Sequence, residues 1–284
     1  MEEPLRDVSD TALWVAMYRA LESERPDAIF RDRFARQMAG ARGEAILASI
    51  PKAKSLAWPM VVRTAVMDEI IMRLVGQGVR TIVNLAAGLD TRAYRLDLPP
   101  DLAWFDADLP AMVAYRAEHM AGVAARCRHE EVAVDLRHAA GRAELLARLP
   151  ADGRPGLAIT EGLLVYLTRD DVAALAGELS GAASLAWWLI DLASPLLLKM
   201  LARSWQPTLQ AANAPMQFAP AESTAFFEPY GWWEVEFRST WAESRRLKRT
   251  VRFAGLWEFL GRFRSAETRR EFGRMSGVVL LERK

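Results

Sequence analysis

The sequence predicts an α/β fold: a mostly parallel seven-stranded sheet with helices on both faces and a helical N-terminal extension. Two observations predict the sheet. Short apolar, partly β-branched runs recur from residue 80 onward, and segments of helical spacing separate them. That alternation is the signature of right-handed βαβ units. A third observation sets the extension apart, because the chain before residue 78 carries helical patterning alone.

Taken in order, 9–40 reads as helical, with Ser9 and Asp10 as N-caps and Leu13, Ala16, Met17, Ala20 and Leu21 at helical spacing. Pro26 breaks the pattern and is expected near the start of a second helix, which carries Phe30 and Phe34 and ends near Gly40. A third helix is expected over 60–74, closed by Gly76 and Gly78. Strands follow at RTIVNLA (80–86), LAWFDAD (102–108), EEVAVDL (130–136), GLAITEG (156–162) and SLAWWLID (184–191). Helices are expected between them over 110–123, 139–149 and 169–179. Thr168 with Asp171 makes a variant capping box for the last. In the tail, GWWEVEF (231–237) and GVVLLER (277–283) read as strands, with an arginine-rich helix over 243–263 between them. Residues 195–230 lack clean periodicity and suit either an insertion covering a pocket or an irregular surface excursion. No linker or repeat divides the chain, so 1–284 reads as one domain.

Composition narrows the function classes. The chain has 284 residues, 51% hydrophobic and 26% charged, with a formal net charge of +1. Such a balance gives no steering toward nucleic acid or an anionic membrane. The basic run at Arg245–Arg249 reads as a solvated helix face. Cys127 is the only cysteine, which excludes an intrachain disulfide and a thiolate metal cluster. The opening MEEPLRDVSD lacks the pattern of a signal peptide, and no apolar run reaches a bilayer-spanning length. A cytoplasmic protein is the expectation, with no nucleic-acid, membrane or metal partner.

In an open parallel sheet, ligands bind beyond the carboxyl ends of the strands, where the strand order reverses. Past the first strand stand Ala86, Ala87 and Gly88; past the second, Asp106 and Asp108; past the third, Asp135; and at the fourth, Glu161. Asp108 follows Gly88 by about twenty residues, the spacing at which an acid reaches the hydroxyls of a bound ribose. It equally suits the cap of a helix starting near Pro110, and both roles can hold together. The loop TIVNLAAGLDTRAYRL (81–96) has one glycine where a dinucleotide needs several, and Asp90 would repel a pyrophosphate. This argues against NAD or FAD and toward a cofactor without phosphates. S-adenosyl-L-methionine fits, with its adenosine, sulfonium and zwitterionic amino-acid end.

VNLAAGLDTRAYRL, FDADLP, VDLR and EGLLVYL, in that order, resemble the leucine carboxyl methyltransferase-like family. This is a class I S-adenosylmethionine-dependent group that includes bacterial O-methyltransferases of polyketide-type metabolism. The resemblance runs from about residue 9 to 170 and more loosely to the C-terminus. It implies a Rossmann-like class I methyltransferase fold, with a cofactor-binding core over 79–194. It further implies that Gly88 is the cofactor-loop glycine, that Asp108 binds the ribose, and that Asp135 and Leu136 flank the adenine. Glu161 then lies near the cofactor, and Arg63 and Arg19 pair with its carboxylate, as guanidinium suits. One position departs: many members have glycine where this chain has Ala86. The alanine is expected to keep ordinary negative-φ geometry and the cofactor site to survive.

Methyl transfer from a sulfonium is an in-line displacement, which asks the protein to align the acceptor and exclude water. A carboxylate acceptor needs no general base, whereas a phenol or alcohol gains from one. His119, His129 and His138 stand away from the strand-end motifs and read as structural, so no catalytic base is named. Tyr166 and Phe218 are the candidate substrate contacts, with a packed core role as the alternative for each. Trp205, Met216, Phe226 and Phe227 suit an apolar acceptor pocket or an ordinary core. The expected function is O-methylation of a small molecule at a carboxylate or hydroxyl. Two alternatives stand beside it: a protein C-terminal carboxyl methyltransferase, and a cofactor-binding but catalytically silent regulatory or scaffold protein.

Overall fold

A computed structural model of the chain describes residues 8–49, 57–201, 216–250, 265 and 271–284. All seven expected strands are present: β1 (Thr81–Leu85), β2 (Ala103–Asp108), β3 (Arg128–Ala133), β4 (Gly156–Thr160), β5 (Leu185–Ala193), β6 (Trp232–Ser239) and β7 (Ser276–Arg283). They form one sheet in the order β3-β2-β1-β4-β5-β7-β6. β1 to β5 are parallel, and β7 pairs antiparallel with both β5 and β6. From β1 the chain winds outward to β2 and β3, then returns to place β4 on the opposite side of β1. The reversal opens a crevice beyond the carboxyl ends of β1 and β4.

Strand alternation sorts the core onto the two faces of this sheet. Ile82, Trp104, Leu157, Ile159 and Leu189 pack on one face against α1 (Val8–Ser23), α2 (Ala35–Ser49) and α3 (Trp58–Gly76). Val83, Phe105, Ala158, Trp188 and Ile190 pack on the other against α7 (Arg169–Gly181), with Phe226, Phe227 and Trp232 beside them. Each fully buried aliphatic or aromatic side chain contributes about 1.5–3 kcal/mol. The buried indoles are also satisfied: Trp104, Trp188 and Trp232 donate to Asp106, Thr160 and the Ala176 carbonyl.

The remaining helices are α4 (Arg92–Arg95), α5 (Pro110–His119), α6 (Ala139–Ala147), α8 (195–201 in its described part) and α9 (Thr240–Arg246). The capping box of α7 forms as expected. Thr168 Oγ1 accepts from Asp171 N at 3.2 Å, and the Asp171 carboxylate accepts from Thr168 N at 3.3 Å.

Four expectations need correction. No helix starts at Pro26. The Asp32 carboxylate accepts from the amides of Phe34 and Ala35 at 3.1 Å, and this cap delays α2 to Ala35 and leaves Phe30 outside it. Gly40 lies inside α2 as a kink (φ 57°, ψ −170°) rather than at its end. The arginine-rich helix stops at Arg246, because Lys248 turns left-handed (φ 54°) and Arg249 is drawn onto Glu22 of α1. The rest of that expected helix, and Trp205, lie outside the described residues. β3 begins two residues early and ends at Ala133, which carries His129 into the strand and leaves Asp135 and Leu136 beyond it.

Candidate active site

Beyond β1 the backbone turns through two left-handed residues, Ala86 (φ 54°) and Gly88 (φ 53°). The expectation of ordinary geometry at Ala86 is therefore wrong. An alanine holds a conformation that suits glycine, at a cost of roughly 1–2 kcal/mol. At Gly88 a Cβ would stand 3.3 Å from the Ala12 methyl group of α1, so the glycine admits close packing of the N-terminal helix. Gly88 N donates to Asp108 Oδ2 at 2.6 Å, and Leu109 N donates to Oδ1 at 2.7 Å. Asp108 thus reaches the loop instead of capping α5, whose N-cap is Leu109. Burial raises its pKa above the ordinary aspartate value, and the two amides oppose that shift only in part.

Beneath the loop lies Arg116 of α5, which is 1% exposed. It donates to the carbonyls of Gly88 and Asp90, each at 3.0 Å, and pairs with Asp106 and Glu131. Asp106 also receives Asn84 Nδ2 at 2.9 Å and faces His129 Nε2 at 2.8 Å. Burial alone would raise its pKa, yet Arg116 and His129 bring it below the ordinary value. Of the two acids at the end of β2, Asp106 supports the loop and Asp108 faces the crevice.

A chain of ion pairs closes the floor at β4 and β5. Arg63 Nε donates to Glu161 Oε1 at 2.9 Å and Nη1 to Asp191 Oδ2 at 2.8 Å. Arg92 joins Glu161, Asp90 and Asp68, each at 2.6 Å. Gly162 N donates to Asp191 Oδ1 at 2.7 Å. Gly162 is left-handed (φ 68°), and a Cβ there would come within 3.2 Å of Arg63 Nη1. Burial pushes the Glu161 pKa up, but Arg92 and Arg63 outweigh it and keep the carboxylate ionised. Arg19 of α1 bonds Asp32 at 3.0 Å and the Leu89 carbonyl, which ties the extension to the loop.

These groups border one cavity of about 850 Å³, within the range of small-molecule and cofactor sites. Arg19, Arg63, Ala86, Gly88, Asp108, Asp135, Leu136, Glu161 and Tyr166 all line it. Phe218 does not: it is buried and packs edge-on against Phe226 at 5.0 Å, while its neighbours Met216 and Gln217 face the cavity. Tyr166 bonds Thr11 of α1, and burial raises its pKa, so the phenol keeps its proton at neutral pH. Asp135 is gripped by Arg137, with Nη2 2.6 Å from Oδ2, and is held at about 2.

The sequence reading missed Asp191, Arg92, Arg116 and Thr64. Asp191 ends the SLAWWLID run and was open to the same strand-end reasoning as Glu161. Arg92 stands in the charged cluster after Gly88, but its partners are 24 and 69 residues away. Nothing local marks Arg116. Thr64 lines the cavity beside Arg63, and its hydroxyl is buried with no hydrogen-bond partner among the described residues.

These residues fit S-adenosyl-L-methionine. Asp108 and Asp135 offer acceptors for hydroxyl and amino groups. Thr64 offers an unspent hydroxyl. Carboxylates outnumber arginines in the lining, with Asp90, Asp108, Asp135, Glu161 and Asp191 against Arg19, Arg63, Arg92 and Arg137, which suits a sulfonium. No group of acids, histidines and cysteines that could hold a metal ion occurs among the described residues. No described helix is long and apolar enough to cross a membrane.

The strand order, the switch point between β1 and β4 and the acids beyond the strands define a class I S-adenosylmethionine-dependent methyltransferase fold. The chain belongs to the leucine carboxyl methyltransferase family, whose profile matches residues 12–180. A Streptomyces coelicolor protein, named by inference an S-adenosyl-L-methionine-dependent methyltransferase, is 37% identical over 193 residues, covering 61% of this chain and 66% of its own. A Rhodococcus jostii protein of the same inferred name is 41% identical over 165 residues, covering 55% of this chain and 56% of its own. The chain thus matches less than two thirds of the length of these curated relatives. A solved structure from Thermobifida fusca, described as an inferred methyltransferase, shares the fold with a TM-score of 0.61 at 15% identity, over 100% of this chain and 97% of that one.

Proposed function

We propose that the protein is an S-adenosyl-L-methionine-dependent O-methyltransferase acting on a small molecule with a carboxylate or hydroxyl acceptor. One observation carries the reading: Gly88, Asp108, Asp135 and Glu161, from four successive strand ends, border a single cavity at the switch point of the sheet. When bound, the cofactor supplies an electrophilic methyl group. Asp108 accepts the ribose hydroxyls, and Asp135 and Leu136 flank the adenine. Arg19, Arg63 and Thr64 serve the amino-acid end. For Arg63 that role is shared, since two of its nitrogens already hold Glu161 and Asp191. Trp14 of α1 and Trp58 of α3 line the cavity, and such apolar walls serve to exclude water. Tyr166, which keeps its proton, is assigned to the acceptor, and no residue is assigned as a general base. The expected cytoplasmic location belongs to the same proposal.

Titration calorimetry with S-adenosylmethionine and S-adenosylhomocysteine is the test. Saturable binding of both, with none for NADH, is the expected result; no binding at millimolar cofactor removes the reading. The family's description names a leucine carboxyl group, which favours a second reading, carboxyl methylation; the acceptor tested for it is the C-terminal carboxylate of a protein. Labelled-methyl transfer to a peptide with a free carboxyl terminus, and none to its amide, would establish it.

A further inference from the structure

At the end of the cavity built by α3, β5, α8 and β7, the character of the lining changes. Trp58, Leu192, Leu197, Leu201, Met216 and Met275 supply apolar surface there. The uncharged polar side chains there are Gln217, Thr240 and Ser276, and the charged groups that α3 and β5 contribute, Arg63 and Asp191, are paired with each other. Apart from Arg63, these elements contribute no lysine, arginine or histidine to the lining among the described residues. Resting on the methyltransferase reading above, we propose that the acceptor end binds an uncharged, apolar hydroxy compound in preference to a carboxylate.

The bordering cations decide the matter, because each is already matched. Arg63 lies at the boundary, between Glu161 and Asp191. Arg92 is shared among Asp68, Asp90 and Glu161. Arg19 is paired with Asp32, and Arg137 with Asp135. Among the described lining residues a carboxylate finds no guanidinium with unmatched charge, while Asp191 and Glu161 flank the boundary arginine. Burying an ionised carboxylate without its own counter-charge is strongly unfavourable, and the two resident acids add repulsion. A hydroxyl carries no such penalty. It needs one donor or acceptor, which Thr240, Ser276 or Gln217 provides in either sense. The thioethers of Met216 and Met275 and the Trp58 indole suit a flat or flexible apolar body.

The test uses the full chain loaded with S-adenosylhomocysteine, titrated at neutral pH with 2-naphthol and with 2-naphthoate and followed by quenching of the cavity tryptophans. Naphthol is expected to bind at least about tenfold tighter. In Leu197→Arg, which supplies the missing cation, the preference is expected to shrink or reverse, with folding checked by circular dichroism. Equal or tighter naphthoate binding by the native chain overturns the proposal. So does binding of neither probe while S-adenosylhomocysteine binds, and so does an unaltered preference in the folded variant. Failure to bind S-adenosylhomocysteine itself removes the methyltransferase reading, and this proposal falls with it.

Discussion

Asp108 reaches from the end of β2 to the neighbouring loop, where its Oδ2 accepts the Gly88 amide at 2.6 Å. The glycine and the acid, 20 residues apart, form one contact that fixes the loop and orients the carboxylate toward the cavity. The arrangement also sets an unusual pH response. Burial raises the Asp108 pKa above 3.8, whereas charge partners bring Glu161 below 4.5 and Asp106 below 3.8 despite their burial.

The signs separate binding from folding. Glu161 and Asp106 contribute stability that is present above their unfolded pKa values and is lost as pH falls through the lower folded ones. Asp108 acts oppositely: its contribution is present below its unfolded value and is lost as pH rises through the raised folded one. On acidification Asp108 therefore takes up its proton before Asp106. Cofactor affinity is expected to fall while the fold persists, and unfolding is expected at lower pH. Calorimetry and circular dichroism across the acid range check this order; simultaneous loss of both would contradict it. Asp108→Asn is expected to weaken cofactor binding about tenfold to a hundredfold at neutral pH, the scale of a charged hydrogen bond.

Ala86 offers a test of backbone strain. Its left-handed φ of 54° is the conformation glycine adopts without a Cβ penalty. Ala86→Gly is expected to stabilise the protein by about 1 kcal/mol, net of the entropy glycine loses on folding. For a chain of this size, that raises Tm by about 2–4 °C. Cofactor affinity should hold or improve. An unchanged or lower Tm would show that the loop carries no strain there.

Arg116 separates loop positioning from bulk stability. Its Nη1 donates to both loop carbonyls from below, while Nη2 and Nε pair with Asp106 and Glu131. Lysine keeps the charge but cannot hold the two carbonyls and both acids at once from a single nitrogen. Arg116→Lys is expected to weaken cofactor binding about tenfold or more, with a smaller loss of Tm. Arg116→Met leaves Asp106 without its main counter-charge and is expected to cost about 3–5 kcal/mol of stability. Equal effects of the two substitutions on binding and on Tm would reduce Arg116 to a general structural role.

Much of this site was legible because its signals are local. Short apolar runs separated by helical segments placed β1 to β5, and the residue after each strand end then pointed at the crevice without knowledge of packing. Gly88, Asp108, Asp135 and Glu161 emerged that way. What escaped depends on contacts the sequence does not order. The φ at Ala86 is imposed by the fold around the loop, since alanine's own preference opposes it. Arg249 pairs with buried Glu22 across 227 residues, and no spacing rule announces such a pair. Asp32 was readable as a cap in principle, but Pro26 is the stronger punctuation and drew the helix start toward itself. Phe218 sits among three other aromatic residues in one short stretch, and composition alone does not say which of them faces a ligand.

Thr64 gives the sharpest separation of ligand contact from architecture. Its hydroxyl is buried at the cavity wall, beside Arg63, with no partner among the described residues. A threonine hydroxyl in a helix commonly bonds a carbonyl one turn back, and this one does not. Valine has nearly the same shape and removes only the hydroxyl. With no internal bond to lose, Thr64→Val is expected to leave Tm unchanged or slightly raised. Cofactor binding is expected to weaken by about 1–1.5 kcal/mol, roughly fivefold to tenfold, the value of one hydrogen bond. Thr64→Ser should retain affinity, because serine keeps the hydroxyl on the same Cβ. Calorimetry on the three proteins distinguishes the cases: equal affinities mean the hydroxyl does not meet the cofactor, and a parallel fall in Tm and affinity means that it supports α3 instead.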